Sequence, residues 1–269
     1  MKSARKIFKR YVELFLLFVK YSFIEQMEYR VNFIAGIAVE CGYILVKLMY
    51  VVLVYQAGTK INGLTPDHMV MFIGTYVMMT GFYMAVYPNF CMLPQYVREG
   101  TLDMLITKPV NLQFITTLKR IDFSMPIPSL LCGISLICFG WRQANLPVTV
   151  KTVSGFILLS MSGIVISYFL FLLPKLLSFW FVSANGLNQI SDAAWDFNNM
   201  PMNIYGKRMR LFGIFVIPIF LITNFPALFV MNRLNVFMVI WGFLAPCLLY
   251  ILIRVVWKHA MRHYSSASS

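Results

Sequence analysis

Acidic residues are scarce in this chain: ten Asp and Glu stand against 23 Lys and Arg in 269 residues, and charged residues make up only 12% of the total. A water-soluble domain carries roughly twice that share, so water is excluded as the solvent for most of the chain. Cysteine is sparse and unpatterned. Cys41, Cys91, Cys132, Cys138 and Cys247 lie scattered in apolar stretches, with no Cys-x-x-Cys and an odd total. Neither a disulfide framework nor a zinc site is indicated, and they read as small packing residues. Among the three histidines, His68 stands alone and His259 and His263 form an i, i+4 pair without a third ligand, so no metal site is expected. No Gly-x4-Gly-Lys-Ser/Thr phosphate loop occurs, which excludes the usual way of holding ATP. The few acids suggest no Ser-His-Asp or paired-carboxylate arrangement either, so the chain is not expected to be an enzyme by itself.

What is abundant is apolar. Hydrophobic residues make up 59% and the mean hydropathy is +0.73. A bilayer core about 30 Å thick takes about 20 apolar residues of helix, and that length recurs along the chain. Residues 2–30 alternate Ile7, Phe8, Tyr11, Leu14, Phe15 and Phe18 with Lys6, Lys9, Arg10, Glu13, Lys20 and Glu25 near a helical period, which predicts an amphipathic helix lying in the interface. Its basic start lacks the short apolar core and small-residue site of a removable signal, so it is expected to be retained. Six apolar segments follow, at about 33–56, 69–92, 114–140, 152–179, 211–231 and 236–257. The third carries Lys119, Arg120 and Asp122 at its start and then Pro126 and Pro128, so its embedded part is expected from about Phe123, with a kink at the prolines. The expectation is an all-α integral membrane protein: a cytoplasmic amphipathic helix over 1–32, six transmembrane helices within 33–257, and a cytoplasmic tail over 258–269 that ends in a disordered serine-rich stretch.

Charge sets the orientation. Lys and Arg concentrate in 1–32, 93–120, 174–210 and 254–269, whereas the alternate loops hold only Lys60, Arg142, Lys151 and Arg233. Positive loops stay inside, so both termini are expected in the cytoplasm. This bias accounts for the net charge of +13 without a nucleic-acid partner.

The most informative stretch lies between the second and third segments: Arg98-Glu99-Gly100-Thr101-Leu102-Asp103, followed by Lys108-Pro109-Val110-Asn111. Thr101 is expected to cap a short amphipathic helix from Leu102, with Asp103 in its positive first turn and Pro109 ending it. This run, the amphipathic helix and the six spans resemble the permeases of type-2 (ABC-2-like) ABC exporters. The resemblance implies a permease in the bacterial cell membrane that works with a second, identical or homologous permease and two copies of a nucleotide-binding ATPase subunit. Membrane lipid is the remaining partner, and ATP and Mg would be bound by the ATPase subunit, with no cofactor on this chain. It also implies a coupling helix at about 96–109, with Arg98, Glu99, Gly100, Thr101, Leu102, Asp103, Lys108 and Pro109 in the coupling region. A re-entrant exit gate is implied at about 224–233, with Phe225, Pro226 and Phe229 closing the path.

Inside the spans, Glu40 and Lys47 lie two turns apart on one helical face with Tyr43 between them. Each charge costs about 2.5–3.5 kcal/mol at a bilayer centre, so they are expected to face the bundle, a partner or a hydrated path, as candidates for transport or gating. Packing alone is the competing reading, with Lys47 snorkelling and Glu40 bonding a neighbouring helix. The second segment is rich in Met and aromatics, including Met78, Met79, Tyr83, Met84 and Tyr87, a soft surface suited to hydrophobic ligands or to ordinary packing. Gly74 and Gly81 there, and Ser154, Gly155, Ser162 and Gly163 in the fourth, allow close helix approach. Residues 185–209 mix Asp192, Trp195, Asp196 and Asn199 with Lys207, Arg208 and Arg210, and read as a cytoplasmic interfacial segment. The leading function is export of a hydrophobic or amphipathic cargo: a lipid, peptide or drug. A membrane immunity or sensor protein without an ATPase is the alternative, and an ion-coupled transporter using Glu40 a third.

Overall fold

The computed structural model describes residues 2–58, 63–181 and 184–264. Lys60 and the serine-rich tail Ser265 to Ser269 lie outside the described residues. The regular elements are helical. The chain runs α1 (Lys2–Glu28), α2 (Arg30–Ala57), α3 (Pro66–Arg98), α4 (Asp103–Ile106), α5 (Leu112–Leu118), α6 (Pro126–Gln143), α7 (Val150–Leu176), α8 (Ala184–Asp196), α9 (Lys207–Phe215), α10 (Phe220–Val230) and α11 (Val236–His263). Four stretches, α2, α3, α7 continued to Phe179, and α11, are long and apolar enough to cross a membrane.

The helices form a bundle with two unlike ends. The base gathers α1, the segment from Glu99 to Phe123 and the end of α11. The apex gathers the turns before α3, α7 and α11, where Arg233 donates to the Gly63 carbonyl at 2.5 Å. Local chemistry starts these helices cleanly. Thr65 and His68 form a reciprocal capping box before α3, Thr149 and Thr152 another before α7, and Asn235 caps α11, each satisfying amides that a helix start leaves unbonded.

Glycine decides the packing at the centre. α3 and α6 run antiparallel, with Gly74 against Ile137, Gly81 against Leu130, Gly133 against Met78 and Gly140 against Met71. A side-chain carbon on Gly74 would stand 2.7 Å from the Ile137 amide nitrogen, and one on Gly140 2.6 Å from that of Met71. The two backbones therefore touch, as small residues permit in helices that gain nothing from burying apolar surface out of lipid. α7 meets α10 and α11 in the same way: Gly163 faces the Ile222 backbone, Gly155 faces Phe229, and Ser162 donates to the Gly242 carbonyl. The pairs Gly74/Gly81 and Ser162/Gly163 were legible as approach sites, whereas Gly133 and Gly140 of α6 were not singled out.

Three expectations are corrected. The apolar run 114–140 is two helices: α5 stays at the base, residues 119–125 break the chain, and α6 starts at Pro126. Pro126 and Pro128 sit in the first turn of α6, where missing amide hydrogens cost nothing, so they start the helix instead of kinking it. The segment 185–209 does not lie along the base. α8 climbs from Lys175, which donates to Asn188 at 2.5 Å, past Tyr83, stacked on Trp195 with ring centroids 4.2 Å apart, to Asn199. Asn199 accepts a hydrogen bond from Lys47 Nζ at 2.5 Å, ten residues before the apex end of α2. The next helices stay in that half: the Ile214 carbonyl accepts from Trp241 at 2.9 Å and Phe215 packs on Phe237, both near the apex start of α11. Lys207, Arg208 and Arg210 therefore belong to α9, away from the base. The run 211–231 is not one straight helix. α9 and α10 are bent by 103°, at residues 216–219, where Pro218 interrupts the helix.

Candidate functional site

At the base, α3 ends at Arg98, Glu99 closes its last turn by bonding the Gln95 carbonyl, and Gly100 takes a φ of 69°. That left-handed turn suits glycine, and it swings the chain so that Leu102 and Leu105 are buried while Arg98, Glu99, Met104, Thr107, Lys108 and Pro109 are exposed. Met104 is 72% exposed and Ile106 44%, so the turn presents an apolar tip ringed by charge. The helix is shorter than expected. α4 has four residues, and its N-cap is Leu102 without a side-chain bond. The Thr101 hydroxyl, expected to be the cap, is buried with no hydrogen-bond partner among the described residues. It lies one position too early for the N-cap role.

This turn is braced from three sides. Arg10 of α1 donates to the Pro109 carbonyl at 3.0 Å, and the Asn111 amide donates to the Tyr11 hydroxyl at 3.0 Å. Further along α1, the Ile121 amide donates to Ser22 at 3.1 Å, Gln26 bridges the Ile121 carbonyl and the Phe123 amide, and Arg120 pairs with Glu25 at 2.7 Å. Tyr264, beyond α11, faces Asp103. Burial and then the neighbouring carboxylate push its phenol up to about 12. Asp103 is thus turned inward to the end of α11, unlike Glu99.

A cavity of about 620 Å³ opens between α2, α3, the start of α6 and α8. It brings together Glu40, Tyr43 and Lys47, as their shared helical face requires, with Tyr83, Met84 and Tyr87 of α3 and Asp192, Trp195 and Asp196 of α8. Glu40 is 3% exposed; Ser129 donates to its Oε1, and its Oε2 has no hydrogen-bond partner among the described residues. Lys47, besides bonding Asn199, sits 4.8 Å from the centre of the Tyr76 ring. Tyr87 donates to Asp192 at 2.6 Å. Tyr43, 64% exposed, stands at the edge. The contribution of α8 was missed because its Asn and Asp residues lower its hydropathy, although their spacing at 188, 192, 195, 196 and 199 is a helical face.

The expected gate residues do not line this cavity. Phe225 and Pro226 are buried within α10, which continues to Val230, and Phe229 packs on Gly155 of α7. The sharp break lies at 216–219, ahead of the 224–233 expected for it. Pro226 is accommodated inside α10, whose neighbouring Asn224 turns its side chain to accept from the Met202 amide at 2.7 Å.

A family model described as ABC-2 family transporter protein matches residues 41–268. No curated protein and no solved structure matches.

Proposed function

We propose that this chain, which belongs to the ABC-2 transporter family, is the membrane-spanning permease subunit of an ATP-driven exporter. A second permease packs beside it, each of the two docks one nucleotide-binding subunit at its base, and a hydrophobic or amphipathic cargo leaves through the interface between them. The bacterial cell membrane, with both termini in the cytoplasm, fits the concentration of Lys and Arg at the base.

The observation that carries the reading is the exposed turn from Arg98 to Pro109, bonded to α1 and continuous with α3, with Tyr264 beside Asp103, while its tip is exposed. A force applied to Met104 and its charged rim is transmitted to α3 directly and to α11 through Asp103. The tip itself has no role in packing the bundle. α3 carries one wall of the cavity, so motion of the base reaches the place where cargo would sit.

The test is purification of the tagged full chain from its native host in mild detergent. A nucleotide-binding subunit is expected in stoichiometric amount, with ATPase activity. Met104→Arg and Glu99→Lys are expected to lose it by at least about tenfold, in line with removal of a central apolar anchor and a rim charge, while the chain still inserts and melts normally. A chain that is partner-free and fully functional would overturn the reading in favour of a membrane immunity or sensor protein.

A further inference from the structure

The cavity between α2, α3 and α8 has a charge balance opposite to that of the whole chain. In a protein with a formal charge of +13, its lining carries three of the ten carboxylates, Glu40, Asp192 and Asp196, against one cation, Lys47. Among the described residues none of the three makes a salt bridge. Lys47 instead gives its hydrogen bond to the amide oxygen of Asn199 and lies over the Tyr76 ring. Glu40 is 3% exposed, with one oxygen bonded by Ser129 and the other without a partner.

We infer that this cavity is a binding site for an organic cation with an apolar body, and that it is where the exporter takes up its cargo. The inference rests on the export reading for the word cargo, but not for the binding site. The chemistry is specific to charge sign. Carboxylates in a partly desolvated site attract a cation more strongly than they would in water. The exposed ring of Tyr43 at the edge adds attraction for an ammonium or phosphonium centre, and the protein already places Lys47 over Tyr76 in this way. The volume of about 620 Å³ falls within the range of sites for drug-sized ligands, roughly 300–1,000 Å³. One subunit forms all of it. Exposed Tyr43 leaves it open at the side of α2, the direction from which an amphiphile dissolved in the membrane would enter.

The experiment uses the purified full chain in lipid nanodiscs, without nucleotide or ATPase, and two probes of the same shape and opposite charge, tetraphenylphosphonium and tetraphenylborate. Saturable binding of the phosphonium at one site per chain is expected, with no competition from the borate. Asp192→Asn and Asp196→Asn, both at exposed positions that leave the fold intact, are each expected to weaken it about tenfold by removing one unit charge from the mouth. Glu40→Gln is expected to abolish it. Should Glu40→Gln fail to fold, the two aspartate variants still decide the matter. Equal binding of the borate, no saturable binding of the phosphonium, or unchanged affinity in both aspartate variants would overturn the proposal. Because binding is read without the ATPase, a chain that binds the phosphonium but yields no ATPase partner on purification from its native host would sink the export reading and leave the cation site standing. An ATPase-coupled chain that ignores the phosphonium would do the reverse.

Discussion

At the scale of single residues, close helix contact depends on what glycine lacks. Gly140→Ala would place a carbon 2.6 Å from the Met71 amide nitrogen, and backbone cannot yield as a flexible side chain does. It is expected to cost about 1–3 kcal/mol, as overpacking does, read as a lowered melting temperature in detergent. The control is Gly42→Ala, where nothing lies within 4 Å. That change is expected to be neutral or to stabilise by up to about 1 kcal/mol, since alanine is the better helix former. Equal destabilisation by both would show that the α3–α6 contact is looser than described. Gly100, with φ of 69°, is set by conformation and not by space, because only the left-handed turn brings Leu102 under the bundle.

At the scale of elements, α1 is more than an interfacial helix. Its polar residues hold the break between α5 and α6 by satisfying backbone groups that no helix there supplies. The amides of Ile121 and Phe123 donate to Ser22 and Gln26, and Ser22 is buried. Ser22→Ala and Gln26→Ala each leave such a donor unmade, and each is expected to cost about 1–3 kcal/mol, with faster amide exchange over 119–123. Glu25→Ala breaks the ion pair with Arg120, whose partners are about half exposed, and is expected to cost no more than about 1 kcal/mol. If the ion pair proves the more costly loss, the clamp is electrostatic and not a matter of backbone satisfaction.

At the scale of the whole molecule, the route of the chain between α7 and α11 is the decisive feature. It rises from the base along α8 to the level of Lys47 and then folds α9 against α10. Single cysteines introduced into a cysteine-free background test this with a membrane-impermeant maleimide in intact cells. Lys207→Cys is expected to react from the same side as Arg233→Cys, and Lys108→Cys only after the membrane is opened. Labelling of Lys207→Cys together with Lys108→Cys would return residues 185–209 to the base.

The sequence by itself determined the solvent, the helical class, the charged turn at 98–109 and the pairing of Glu40, Tyr43 and Lys47 on one face. All of these follow from composition or from a single helix's period, which act locally. It also marked Gly74, Gly81, Ser162 and Gly163 as places of close approach, although not what would approach them. Tertiary structure alone decided where α8 lies. The polar side chains of α8 and of the turn after it meet partners on other helices: Asn188 with Lys175, Asp192 with Tyr87, Asn198 with Thr223 and Asn199 with Lys47. Conversely, 211–231 is apolar enough to span but is not one straight helix, because Pro218 breaks it and α10 is buried against α7. Hydropathy registers the cost of a lone polar group in a membrane, whereas the fold removes that cost in pairs, and pairs separated by up to 152 residues leave no local pattern.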